Sequence, residues 1–443
     1  MRDSHEDHSA MPEIVRLTAS LPKAAVEMIK GRIASWKASQ LLIKQRRNME
    51  WKSPAAHHIR EQLERIIQDR IFLRDIPLYR DQLKSRRTEQ EKGIIQEIEA
   101  RTAKSNRSNI TRTRAYLNCY KQFPELHWSF LAHMVSRNAG WSMSDLKGGL
   151  MSDLMEQPMR EDMYRLLERC NALIFQDAYP QLLLYMYSRT LGKSLFHLLS
   201  EFHVSAFMHP FWERFWLERD SALLATGLII NEQQYIEGRV VQHHYFQKQI
   251  LRKPSFLLHS KFQMNQIIFP LTIEHPVQDS NQSSLPQATG ICGLILEDFT
   301  DIHERIEFGK SLYAMLFGYQ NVLSGVQAFA FTVKHQGSRQ EYWPALFTAD
   351  KQTALNSPQE SSELLKQEWL PEGKNLYSPL LKDVWQDMPY EPIQQYDWFT
   401  NANAIVHITR PRRPLFIEMT HAHRLALQKT AMIHDVQKAY FPE

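Results

Sequence analysis

The sequence predicts a mainly α-helical, multi-helix globular protein with one or two small β-hairpins in its C-terminal third. From Glu161 to Leu251 apolar residues recur three and four apart, with Leu166, Leu167, Cys170, Leu173 and Ile174 on one face. Short alternating runs that suit strands gather only beyond Ala328. The 443 residues, 43% hydrophobic and 23% charged, are ample for one large or two ordinary cores. Three regions are expected: a charged helical N-terminal region over 1–105, a central helical domain over 106–275, and an α+β subdomain over 290–443 packed on it.

In chain order, Leu21 to Arg47 carries seven Lys or Arg against one acid, Glu27. Val26, Ile29, Ile33 and Trp36 fall at helical spacing after Pro22, which suits a first turn, so the segment reads as a basic amphipathic helix. Such a helix either covers the protein's own core with its apolar stripe or meets an acidic protein or an anionic membrane surface. Ile59, Leu63, Ile66 and Ile67 continue as a second helix until Pro77, and a mostly charged helix follows over 78–104.

The segment 106–149 is the densest mixture of polar and large apolar residues in the chain. Asn109 is expected to cap a helix, because its side-chain oxygen accepts an otherwise unpaired amide of the first turn. Arg112 and Arg114 then stand where cations oppose the helix dipole, a placement that surface carboxylates or a bound anion offset. Pro124 and Glu125 are expected to start the next helix. Trp128, Phe130, Leu131, Met134 and Val135 make that helix apolar around most of its circumference, so His127, His133, Arg137 and Asn138 need partners within the protein or in a ligand. Gly140 is expected to end it, Ser142 to Asp145 to act as a capping box for a short helix, and Gly148-Gly149 to close that one. This punctuation would fix the direction in which Trp141, Asp145 and Lys147 project, and adds Asp145 to the candidate ligand-binding residues.

Further on, Tyr179-Pro180 marks an expected helix break. Phe211, Trp212, Phe215 and Trp216 form an aromatic stripe that suits a core. The polar segment 275–290 reads as a loop, and 308–323 as a helix. Two hairpins are expected, one from 328–333 with 342–347 and one from 404–409 with 415–419, the second joined by Arg410-Pro-Arg-Arg-Pro414. Residues 356–396 read as irregular, and Thr420 is expected to cap a closing helix to about 439.

Several motifs fail on spacing. Gly192-Lys193-Ser194 and Gly309-Lys310-Ser311 end like phosphate-binding loops, but Tyr187 and Glu304 occupy the positions that require the earlier glycine. Glu418-Met-Thr-His421 is half of a paired-metal helical motif, without its second copy. His197 and Glu201 lie four apart, a spacing that serves a ligand pair or an ordinary charge-assisted bond. No metal site and no cofactor is indicated.

Over Asn109-Ile-Thr-Arg-Thr-Arg-Ala-Tyr and His127-Trp-Ser-Phe-Leu-Ala-His-Met-Val-Ser-Arg-Asn-Ala-Gly-Trp, the chain resembles the YppC-like family of bacilli, a domain of unknown function. The likeness extends from about residue 100 towards the C-terminus. It implies a bacterial intracellular protein and transfers no activity, cofactor or catalytic residue.

Longer apolar stretches are broken, as 172–188 is by Asp177 and Pro180, so no segment is expected to cross roughly 30 Å of hydrocarbon. The N-terminus is polar and Cys119, Cys170 and Cys292 are odd in number, which fits the cytoplasm, at most peripheral to a membrane. A net charge of +4 gives nucleic acid little purchase. Two functions remain open. One is a binding protein whose basic helix over 21–47 meets an acidic protein or an anionic membrane. The other is an enzyme of unrecognised type, with His127 or His133 moving a proton and Arg112, Arg114, Arg137 and Asn138 holding a small anion.

Overall fold

A computed structural model of the chain describes residues 30–72, 87–149, 151–253, 265–272, 290–355, 375–388, 395–427 and 430. The protein is mainly α-helical, and the described residues form two two-stranded sheets. The first described helix, α1, spans 30–42. Its inner side is made of small residues. Ser35 donates to Glu418 Oε2 at 2.6 Å, and Ser39 Oγ accepts the amides of Ile417 and Glu418 at 3.2 and 3.0 Å. Ala34, Ser35, Ala38 and Ser39 let the helix sit close to its neighbours, and Leu42 is buried in its last turn, whereas Ile33 and Trp36 turn outward. Ile33 and Trp36 are each 51% exposed, so in the described part the apolar stripe is not buried in the protein's own core. Pro22, Val26 and Ile29 lie outside the described residues.

Helix α2 (Ser53–Phe72) buries Ala55, Ala56, Ile59 and Leu63, and Pro77 falls outside the described residues. Helix α3 (Glu89–Ser105) opens with a capping box between Thr88 and Glu91; the 78–86 part of the helix expected there is outside the described residues. Next come α4 (Asn109–Gln122) and α5 (His127–Asp145), which run antiparallel, Asn109 and Thr113 meeting Ser136 while Tyr116 meets Trp128. Ser108, not Asn109, caps α4, with Thr111 completing the box, and this frees the Asn109 amide to reach α5. Pro124 and Glu125 form the turn before α5 rather than its first turn. Gly140 does not end α5, and Ser142 to Asp145 close this helix instead of opening another.

After α6 (Met151–Leu154), the long α7 (Gln157–Leu191) passes through Pro180 without the expected break. Buried neighbours surround that turn, and Gln181 Nε2 donates to the Asp177 carbonyl at 3.0 Å, adding a local bond where proline removes a backbone donor. Gly192 ends α7 at φ 70°, which gives the rejected phosphate-loop motif its role as a helix stop. Phe211, Trp212 and Phe215 of α8 (Met208–Glu218) are buried as expected, beside α9 (Ser221–Ile236), which is buried along most of its length.

Strands β1 (Gln266–Leu271) and β2 (Gly290–Ile295) pair antiparallel, from Gln266 opposite Ile295 to Leu271 opposite Gly290. The expected loop at 275–290 lies outside the described residues except for Gly290. Helix α10 (Ile302–Gly318) stops before the predicted 323, and α11 (Gln320–Thr332) occupies the expected strand at 328–333. Val322, Leu323, Val326, Phe329 and Ala330 are buried at helical spacing, which overrides the alternation of Ala328 to Thr332. Of the expected partner at 342–347, only Phe347 is in a strand, β3 (Phe347–Thr348), and it pairs in parallel with β4 (Leu376–Tyr377).

The second expected hairpin is replaced too. Residues Ala402–His407 form a 3-10 turn, and 415–419 lies along β2 through a bridge between Cys292 and Glu418. Most of 356–396 is outside the described residues, although β4 and a helical turn at Leu381–Val384 stand within it. The closing helix α12 is described over 420–427; Thr420 uses its hydroxyl to accept the Ile291 amide at 3.0 Å. The largest apolar cluster draws on residues from Leu42 to Met419, so both ends of the described chain share one core.

Candidate functional site

The polar residues of α4 and α5 find most of their partners inside the protein. Arg112 is buried and its Nη2 lies 2.5 Å from Glu168 Oε2 on α7, with Nη1 3.2 Å from Asn106 Oδ1. An acid therefore offsets the cation at the start of α4. Burial raises the Glu168 carboxyl and Arg112 opposes that rise. Arg114, two residues on, points to solvent and does not join the group. Asn138 duplicates strand pairing with its side chain: its Oδ1 accepts the Ile268 amide at 3.0 Å and its Nδ2 donates to the Ile268 carbonyl. Of the two histidines, His127 has Nδ1 2.9 Å from the Tyr313 hydroxyl and stacks on Phe317 at 4.0 Å, while burial and then Arg47 push its pKa down to about 3.

His133 differs. Its Nδ1 is 2.8 Å from the Thr113 carbonyl and must carry the proton to donate there, which leaves buried Nε2 as an acceptor without a hydrogen-bond partner. Burial and then Arg137 hold the ring well below the ordinary imidazole pKa, so it is neutral.

Arg137 leads to a network that sequence reasoning did not find. Its Nη2 donates to Glu341 Oε2 at 2.6 Å and its Nη1 to the Val333 carbonyl at 3.0 Å. Glu341 also meets His335 Nδ1 at 3.2 Å and accepts the amides of Gln336 and Gly337 at 2.6 and 2.7 Å. Burial opposes its charge, yet His335 and Arg137 hold it ionised with a pKa of about 2. His335 Nε2 lies 2.9 Å from Asn109 Oδ1. Both ring nitrogens thus face acceptors, an arrangement that asks for the protonated ring, while burial lowers its pKa; a neutral ring requires the Asn109 amide to turn over.

A second group stands at the C-terminal end of α5. Arg339 clasps one oxygen of Asp145 with Nε at 2.7 Å and Nη2 at 2.6 Å. Its Nη1 reaches the Tyr342 hydroxyl, which lies 3.1 Å from His423 Nε2. A cleft of about 70 Å³ opens beside Ser142, Asp145, Arg339, Tyr377, His423 and Leu427. Asp145 is the one predicted site residue that lines it, and the volume admits only a few heavy atoms. A larger surface depression of about 540 Å³ lies near Trp51, Lys52, His58 and Arg214, away from every predicted residue.

The interior also holds two acids that accept from amide and indole donors. Asp177 Oδ2 accepts from Gln181 at 2.9 Å and Asn231 at 2.5 Å, but its Oδ1 is buried with no partner. Glu232 receives Trp128 Nε1 at 3.1 Å and Gln233 Nε2 at 3.2 Å. Burial pushes Asp177 up to about 7 and Glu232 up to about 8. The signal for Asp177 was visible as a charge inside an apolar run; Glu232, in Asn231-Glu-Gln-Gln, gave none.

The remaining motif residues separate. His197 pairs with Glu91 at 2.9 Å and Glu201 with Arg87, so they do not pair with each other. Buried Lys310 is held by Glu307 at 2.7 Å and Thr409 at 2.6 Å. Glu418 is bonded to Ser35 and Thr420, whereas His421 is exposed. Among the described residues no group of three or more His, Cys, Asp or Glu is arranged to hold a metal ion.

A family model described as "Protein of unknown function (DUF2515)" matches residues 104–430. The "Uncharacterized protein YppC" of Bacillus subtilis (strain 168) is 42% identical over 246 residues, which cover 56% of this chain and 72% of that protein. No solved structure matches.

Proposed function

Because this chain belongs to the family described as protein of unknown function (DUF2515), a membership that assigns no activity, we propose from its surface that it is a binding protein whose basic N-terminal helix rests on an anionic membrane. The observation that supports this reading is the outward side of α1. Ile33 and Trp36, half exposed, and Leu41, 67% exposed, are interleaved there with exposed Arg32, Lys37 and Lys44. At 100° per residue Ile33, Lys37 and Gln40 share one face, with Trp36 and Leu41 on its flanks, and exposed Lys44 follows just past the end of the helix. Residues 30–47 hold six Lys or Arg and no acid.

An interfacial helix needs this combination: apolar side chains that enter the acyl boundary, a tryptophan at headgroup level, and cations facing lipid phosphates. Each cation near an anionic leaflet contributes about 1 kcal/mol, and salt screens that contribution. The contact proposed is a peripheral one; among the described residues no helix is long and apolar enough to cross a membrane. An acidic protein would satisfy the same charges, but half-exposed Trp36 and Ile33 between lysines suit a lipid boundary better.

Sedimentation with vesicles of phosphatidylcholine, with or without phosphatidylglycerol, tests the reading. The protein is expected to sediment only with the anionic vesicles and to be released as salt rises. Both the Lys37→Glu/Lys44→Glu and the Ile33→Ser/Trp36→Ser double variants should stay in the supernatant. Equal binding to neutral vesicles, or double variants that bind like the parent, would sink it.

A further inference from the structure

The chain presents a second exposed apolar pair beside α1. Leu415 is 57% and Phe416 55% exposed, and they directly precede Ile417 and Glu418, whose amides bond to Ser39 on the inner side of α1. Five of the eleven large apolar side chains that the described residues leave exposed, Ile33, Trp36, Leu41, Leu415 and Phe416, therefore belong to these two adjoining segments. Scattered exposed apolar residues need no explanation; their concentration here does.

We infer that the loop 412–416 is a second insertion element, entering the same anionic bilayer beside α1. The inference rests on the membrane reading above and adds a second point of contact. Three features support it. The loop is held in place from below: Arg410 Nη2 donates to the Met49 carbonyl at 3.2 Å, Arg413 to the Arg47 carbonyl, and the Tyr319 hydroxyl to the Pro414 carbonyl at 2.8 Å. Pro411 and Pro414 limit the backbone further, so presenting Leu415 and Phe416 to a bilayer carries little ordering cost. The charge is also of the right sign. Arg412 is exposed, no acid lies between Arg410 and Phe416, and the next one, Glu418, is buried under Ser35.

One helix lying on a bilayer leaves the body free to roll about the helix axis. A second anchor beside it fixes that rotation and sets which side of the protein faces the lipid. A mobile acidic protein partner has no such need of a rigid, proline-bounded apolar pair.

The test reads position 416 directly. A Phe416→Cys variant that also carries Cys170→Ser, because Cys170 is partly exposed, takes a bimane label selectively, since Cys119 and Cys292 are buried. Labels at Trp36→Cys and Leu191→Cys serve as comparisons. On anionic vesicles with nitroxide-bearing lipid, quenching is expected at 416 and 36 and not at 191. The Leu415→Ser/Phe416→Ser variant should bind these vesicles at least about tenfold more weakly than the parent. Its exposed positions leave folding intact, which circular dichroism checks.

If the parent sediments with anionic vesicles while the 416 label stays unquenched and the serine variant binds normally, this inference is overturned and the helix reading stands. If the parent sediments with no vesicle, both are overturned. Retention on an acidic polypeptide without vesicle binding overturns them likewise and assigns the surface to an acidic protein.

Discussion

Asp177 is a carboxyl placed where a charge is costly, with two amides on one oxygen and nothing on the other. A carboxyl whose pKa is raised on folding holds its proton more tightly in the folded state. Its contribution is therefore fully present below the unfolded value, near ~4, and is lost as pH rises towards about 7 for Asp177 and about 8 for Glu232. Stability measured by urea unfolding should fall between about pH 5 and 8, by up to about 1.4 kcal/mol per pH unit for each group. Asp177→Asn should flatten that slope, since the amide keeps one acceptor and cannot ionise; an unchanged slope would remove Asp177 as its source. Glu341, held at about 2, acts oppositely: its contribution is present above the unfolded value and is lost as pH falls through about 2. The sequence made Asp177 conspicuous because it broke an apolar run. It hid Glu341 and His335, which flank a Gln336-Gly-Ser turn with no periodicity and acquire meaning only when that turn folds over α5.

At the scale of elements, Gly140 and Gly93 are both helical glycines with opposite meanings. A Cβ on Gly140 would stand 2.5 Å from His335 Nε2 and 2.6 Å from Asn109 Oδ1, whereas one on Gly93 would meet nothing within 4 Å. Gly140→Ala should cost about 1 to 3 kcal/mol in spite of the better helix former, and Gly93→Ala should gain up to about 1 kcal/mol. Thermal or denaturant unfolding of the two variants gives the comparison, and a stabilised Gly140→Ala would mean that the His335 to Asn109 contact does not form as described. Read from sequence, Gly140 looked like a helix stop, because glycine's two uses, positive φ and close approach, leave the same letter. The same ambiguity misplaced the strands. Ala328-Phe-Ala-Phe alternates locally, but the 3.6-residue stripe that decides the matter starts at Val322. In β1, Ile267, Ile268 and Phe269 are consecutive apolar residues, a pattern that strands and buried helices share.

Across the whole molecule, the helical class was legible because long 3.6-residue periods survive any tertiary arrangement. The joining of distant segments was not, since single side chains carry it. Ser39 is such a link, accepting two amides from residues nearly four hundred positions away. Ser39→Ala should leave both buried amides without acceptors, at a cost of about 1 to 3 kcal/mol. Hydrogen exchange is the appropriate measurement: amides of 30–42 and 415–420 should exchange faster together, and acceleration in neither segment would show that other contacts hold them. The surroundings of the small β1–β2 sheet have a consequence for colloidal behaviour. A two-stranded sheet has two outer edges able to recruit a strand from another molecule. Here the Asn138 amide occupies the Ile268 backbone on one edge, while 417–419 bonds to Ile291 and Gly293 along the other. Neither edge at these positions is open to strand addition, so aggregation seeded from the folded sheet would first have to detach α5 or the segment leading into α12.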